Sequence, residues 1–251
     1  MATPPLLLVN GYAATAVDWD PTFVAALERS FELICPDNRG VGAALLGVLD
    51  GQLTIEAMAA DLEALLDSRG IEKLAVAGWS MGGFVAQALA VRAPRRVEAL
   101  VLLATDPGGP ESVPADPAIW ARLTDTSGTP REQASRLISL LFPGPVAAEI
   151  DRRFGDVVAA ARAQLSPAAL EAQANAMAAW HATAQPPPPD PSPPVLIACG
   201  EEDVVIPPQN SDRLASFWPD SRIERFADGG HAFMAQEPER LADLIAVFLR
   251  A

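Results

Sequence analysis

A serine set between two glycines, Gly78-Trp79-Ser80-Met81-Gly82, is the feature that most restricts how this chain can fold. An apolar, strand-like run at residues 74–78 leads into it, and a helix-period segment that opens with small residues leaves it and continues to residue 92. A strand that becomes a helix across so few residues must turn sharply, and glycine on either side is what lets the backbone pack that closely. The turn presents the Ser80 hydroxyl above the sheet edge. Because Ser80 stands at a helix N-terminus, the Met81 amide and the helix dipole point toward any negative charge that develops there.

Around this turn, apolar runs at residues 6–9, 31–35, 74–78 and 97–104 alternate with helical patterns at 21–29, 54–68 and 80–92. That alternation predicts a parallel sheet with helices on both faces. In the second helix Ile55, Met58, Ala59, Leu62, Leu65 and Leu66 recur at helical spacing behind Thr54, a residue suited to the N-cap. After Asp106-Pro107-Gly108-Gly109-Pro110 the rhythm breaks, and helical patterns at 117–123, 131–141, 146–164 and 167–182 follow with no strand between them. An inserted helical cap is therefore expected at 107–190, ending in a stiff proline-rich return at 186–194. Strands at 195–199 and 222–226, a helix after Pro208 and an amphipathic helix at 238–250 resume the alternation. The expected fold class is α/β: a six-stranded, mostly parallel sheet built from residues 1–106 and 191–251, carrying the cap.

Charge narrows the partners. With 32 acidic residues against 18 basic ones the net charge is −14, which disfavours nucleic acid, anionic membranes and polyanionic substrates and leaves a small-molecule substrate. Cys35 and Cys199 sit in apolar strand-like runs and read as small buried hydrophobes. Two histidines and two cysteines without short spacing predict no metal site, and nothing calls for an organic cofactor. The opening Met-Ala-Thr-Pro-Pro-Leu-Leu-Leu-Val-Asn lacks the basic start and apolar length of a signal peptide, and no apolar run is long enough to span a bilayer. The expectation is a soluble, cytoplasmic protein; composition says nothing about subunits.

A serine hydroxyl needs a base to become a nucleophile. His231 lies in the Gly-rich loop Asp228-Gly229-Gly230-His231 between the last strand and the last helix, where loops at the carboxyl edge of a parallel sheet carry sites. His181 follows Trp180 on an Ala-rich helix of the cap and reads as a packing or surface residue. The base needs an orienting carboxylate, and Asp203 in Gly200-Glu201-Glu202-Asp203 is preferred over its two glutamate neighbours because it can reach past the strand end and be partly buried. Asp106, also just past a strand end, is the rival.

The chain order Ser80, Asp203, His231, with the G-x-S-x-G turn, resembles the α/β-hydrolase superfamily along the whole chain. The resemblance is to its capped serine-nucleophile branch, which includes carboxylesterases, enol-lactone hydrolases, C–C bond hydrolases and perhydrolases. Asp37-Asn38-Arg39-Gly40-Val41-Gly42 looks like the family's turn after the second core strand, and reads as structural. Asn10-Gly11-Tyr12 stands where the family usually has His-Gly, so the resemblance implies that the Tyr12 amide joins that of Met81 in an oxyanion hole. Two departures accompany it: Asn10 replaces the histidine, and the family's first two strands are missing, so the sheet should be small and all parallel.

The chemistry implied is hydrolysis of a small to medium neutral ester or lactone through an acyl-enzyme on Ser80, since no cationic cluster offers an anchor for a large anion. C–C bond hydrolysis, perhydrolysis or hydroxynitrile-lyase chemistry could use the same residues, and a non-catalytic binding scaffold is the third alternative. Tyr12 and Trp79 are expected at the substrate pocket, whereas Trp120, Phe142 and Trp180 could line it or simply pack.

Overall fold

Along β1 (Pro5–Val9) every buried side chain takes one of two sides. Leu6 and Leu8 join one apolar cluster and Leu7 and Val9 the other, the period-two alternation of a strand buried on both faces. The same division runs through β3 (Leu74–Trp79), β4 (Val97–Leu103) and β5 (Val195–Gly200). On one face α2 (Ile55–Arg69) and α3 (Met81–Arg92) cover Leu7, Val76, Leu100 and Ile197. On the other, α1 (Pro21–Glu28) and α9 (Pro238–Phe248) cover Leu6, Leu8, Val101 and Leu196. This computed structural model describes residues 3–46 and 53–250, so Met1, Ala2 and Ala251, the extremes of the expected core and of the leader reading, lie outside the described residues.

With β2 (Glu32–Ile34) and β6 (Ser221–Phe226) the sheet has six strands in the order β2-β1-β3-β4-β5-β6, and each neighbouring pair is parallel. The connections from β1 run outward to β2 and then back across to β3. The crevice at the carboxyl ends of β1 and β3 is therefore the topological switch point, where open α/β sheets bind ligands. Val9 pairs with Gly78 there, so the chain leaving β1 as Asn10-Gly11-Tyr12 lies beside the one leaving β3 as Ser80.

Element ends differ from the sequence reading by a residue or two for identifiable reasons. β3 and β5 run on to Trp79 and Gly200 because their ladders to Leu103 and Phe226 continue. The edge strand β2 is shorter than its apolar run, pairing with β1 only from Glu32 to Ile34. Thr54 caps α2 as expected, its hydroxyl accepting from the Ala57 amide at 3.0 Å.

Between β4 and β5 stand α4 (Pro117–Thr124), α5 (Pro130–Leu141), α6 (Gly144–Arg162) and α7 (Pro167–Ala182), the inserted cap helices. α6 begins earlier than its apolar period suggested because Pro145 fits the first turn, where no amide partner is lost. α8 (Asn210–Phe217) completes the cover of β5 and β6. Among the described residues no helix is long and apolar enough to cross a membrane.

Candidate active site

Ser80 is the single residue between β3 and α3, and its backbone is held at φ +56°, ψ −123°. Such a left-handed conformation in a non-glycine residue is strained, and the surrounding contacts show what enforces it. A Cβ on Gly82 would lie 2.1 Å from the Val9 carbonyl, and one on Gly78 would lie 2.3 Å from the Gly82 carbonyl, so neither position admits a side chain. The Ser80 amide donates to the Leu103 carbonyl at 2.9 Å, and its own carbonyl accepts from the Thr105 hydroxyl at 2.8 Å. Both ends of the turn are thus fixed to the end of β4, while the side chain faces a cavity.

That cavity has a volume of about 1000 Å³ and brings Ser80 together with Gly11, Tyr12, Trp79 and His231 beneath the cap helices α5 and α6. The His231 loop is positioned by a close crossing: Gly229 accepts from the Glu202 amide at 2.9 Å, and the Ala232 amide donates to the Leu141 carbonyl of α5 at 3.0 Å. Trp79 adds an indole N–H to the His231 carbonyl at 2.9 Å, with the two rings 5.5 Å apart.

Nδ1 of His231 meets Oδ2 of Asp203 at 2.7 Å, and both side chains are almost wholly buried. The other carboxylate oxygen, Oδ1, accepts from the amides of Val205 and Ile206 at 2.8 and 2.9 Å. Asp203 thus engages Nδ1 of His231, which leaves Nε2 as the ring nitrogen without a partner among the described residues. Ser80 and His231 line the same cavity.

The rival acid, Asp106, is engaged elsewhere. Its Oδ1 accepts from the Gly108 amide at 2.8 Å and the Ser112 hydroxyl at 3.1 Å, and its Oδ2 meets Nε2 of His181 at 2.9 Å. This second pair lines a smaller cavity of about 180 Å³ that also reaches Ser80, with Phe84 and Trp120 edge-on to the His181 ring. The sequence reading saw His181 and Asp106 separately and had no signal that they join, since 75 residues separate them.

The turn at 37–42 acts as a brace for the loop after β1. Asn38 donates to the Asn10 carbonyl at 2.7 Å, and Asp37 accepts from the Ala16 and Ala43 amides at 2.7 and 2.6 Å. Asn10, in place of the usual histidine, is itself buried and donates through Nδ2 to the Thr15 carbonyl. Of the other aromatic candidates, Phe142 lines the large cavity and Trp120 the small one, whereas Trp180 packs on Phe84 at 5.4 Å.

One lining residue had no sequence signal at all. Arg162, at the end of α6, is 7% exposed and borders the large cavity near Tyr12. Burial pulls its guanidinium below the ordinary arginine value and pushes the Tyr12 phenol up, each partly offset by the other. Among the described residues no group of three His, Cys, Asp or Glu side chains is arranged to hold a metal ion.

Comparison with known proteins finds relatives over nearly the whole chain. A protein of Variovorax paradoxus named as a carbamate hydrolase, RutD, is 31% identical over 234 residues, spanning 92% of this chain and 86% of that one. A protein of Mycobacterium tuberculosis named "putative non-heme bromoperoxidase BpoC" superposes with a TM-score of 0.79 at 28% identity, over 99% of this chain and 92% of that one. A thermophilic esterase from Thermogutta terrifontis does so at 0.68 and 29%, over 98% and 89%. The sequence profile of the family described as alpha/beta hydrolase fold matches residues 4–238, and the chain belongs to that family.

Proposed function

We propose that this hydrolase cleaves a carboxylic ester or lactone of small to medium size through an acyl-enzyme on Ser80. The observation that carries the reading is the Asp203–His231 pair, buried and joined through Nδ1, in the same cavity as a strained, helix-capping serine.

In this reading Nε2 of His231 takes the proton as Ser80 Oγ attacks the carbonyl, and Asp203 stabilises the imidazolium without itself accepting the proton. The oxyanion forms against the amides of Met81, at the start of α3, and Tyr12, in the loop braced by Asn38. His231 then protonates the leaving alcohol, and water repeats the cycle to release the acid. The two cavities that meet at Ser80 differ in volume, about 1000 against about 180 Å³, which suits an ester with one bulky side and one compact side. A carbamate is the second reading, favoured by the name of the 31% identical relative. Its carbonyl would meet the same three side chains.

Hydrolysis of p-nitrophenyl esters from acetate to long-chain acyl, beside a p-nitrophenyl carbamate, tests both readings, with a fluorophosphonate probe to trap the nucleophile. Ser80→Ala should lower kcat by about 10⁵-fold or more and abolish labelling. Turnover that survives in the Ser80→Ala protein would end the proposal.

A further inference from the structure

The described residues bury few charged groups, and all but one are paired. Asp203 has His231 and Asp106 has His181, but the guanidinium of Arg162 makes no hydrogen bond or ion pair with any described residue, and its Nε is buried without a partner. An isolated buried cation is costly and is retained only where something repays it. Shortage of acids does not explain it, because the chain carries 32 acidic residues against 18 basic ones. Earlier on the same helix, Arg152 and Arg153 both reach Glu149 at the surface. Asp18, the acid that most affects Arg162, is committed to Thr15 instead, accepting from its amide at 2.6 Å and its hydroxyl at 2.8 Å. The cation of Arg136, which opposes it, is paired with Asp125.

Arg162 borders the cavity that holds Ser80 and His231, whose lining includes the apolar Leu137, Ile138, Val158 and Leu165. We propose that Arg162 is a specificity-determining residue that receives a carboxylate carried by the substrate, so that the bond cleaved at Ser80 belongs to an ester or lactone with an anionic end. A guanidinium matches a carboxylate through two parallel N–H donors, and Arg162 is the buried cation of a lining whose other charged residues, Arg153, Asp18, Asp20, Asp228 and Glu237, are exposed or half-buried. The Tyr12 phenol, which burial keeps protonated, lines the same cavity. This assignment rests on the Ser80 reading and replaces the neutral substrate expected from the sequence, where a lone arginine in an amphipathic helix gave no sign of burial.

The test uses p-nitrophenyl monoesters of dicarboxylic acids from adipate to sebacate, each beside its neutral methyl ester. One chain length should be preferred at least about tenfold over its methyl ester, and Arg162→Met should reduce that preference about 30-fold, chiefly through KM, with Arg162→Lys between. Removal of an unpaired buried cation should leave the Arg162→Met melting temperature equal to or above that of the wild type. Calorimetry of the free dicarboxylate against Ser80→Ala protein reads binding without turnover, and binding should vanish when Arg162→Met is added. If neutral esters are cleaved but no dicarboxylate binds, the Arg162 assignment falls and the Ser80 reading stands. If the dicarboxylate binds through Arg162 but no ester is cleaved, the Ser80 reading falls alone. A wild type that favours the methyl ester at every length would overturn the Arg162 proposal.

Discussion

Two aspartate–histidine pairs approach Ser80 from different cavities, and their local chemistry is nearly the same. Each aspartate follows the end of a central strand, β5 or β4, and each uses Oδ1 to accept a backbone amide two residues on and Oδ2 to meet a ring nitrogen. They differ in which nitrogen is taken and in how tightly the ring is held. Asp203 takes Nδ1 of a histidine whose side chain is 3% exposed, whereas Asp106 takes Nε2 of one that is 34% exposed. In the proposed mechanism the Asp203 pair leaves Nε2 of a buried ring to serve Ser80, while the Asp106 pair ties a cap helix to the end of β4. A hydrogen-bonded pair near a serine does not by itself identify a catalytic dyad, and matched substitutions of the two aspartates distinguish them.

Replacing Asp203 by asparagine should have the larger effect of the two matching substitutions. The amides of Val205 and Ile206 would hold the new side-chain oxygen where Oδ1 now sits, turning the NH₂ toward His231. Nδ1 would then have to accept, the proton would move to Nε2, and the ring could no longer take the serine proton. We expect kcat for a p-nitrophenyl ester to fall by about 10⁴-fold with the protein still folded. A loss below tenfold, measured by initial rates, would remove Asp203 from the proposed mechanism.

The matching change, Asp106→Asn, meets the same constraint, since the Gly108 amide and Ser112 hydroxyl hold Oδ1. The NH₂ would again face a histidine nitrogen, but no proton transfer at Ser80 depends on the His181 tautomer in this reading. The expected outcome is a kcat within about threefold of wild type and a stability loss of about 1 kcal/mol, read from urea unfolding. A large loss of kcat here, with Asp203→Asn active, would exchange the roles of the two pairs.

Much of this was legible in the sequence because it depends on local pattern. The strand–turn–helix at Ser80 is fixed by close backbone contacts that only Gly78 and Gly82 allow, and those contacts leave a mark in residue type. The cap helices announced themselves through their apolar period and through prolines such as Pro117 and Pro167 in the first turn. What was not legible depends on separation in the chain. His181 meets Asp106 only because α7 returns over the end of β4, and Arg162 is buried where the end of α6 borders the same cavity as the loop after β1. In a helical pattern an arginine looks the same whether its face meets water or a cavity.

The smallest expected effect concerns why one ring is held more firmly than the other. Trp79 donates its indole N–H to the His231 carbonyl and lies against the imidazole, whereas Phe84 and Trp120 meet His181 only through ring edges. Trp79→Phe keeps an aromatic face beside His231 but removes that donor and leaves the carbonyl unpaired. A loss of about 1 kcal/mol in stability follows from one hydrogen bond. If the bond also steadies the ring, kcat should drop about threefold to tenfold while KM for a short-chain ester changes less, because positioning acts on the transition state more than on binding. An unchanged kcat, with the stability loss observed, would mean that Asp203 alone orients His231 and that the difference in burial, rather than the tryptophan, separates the two pairs.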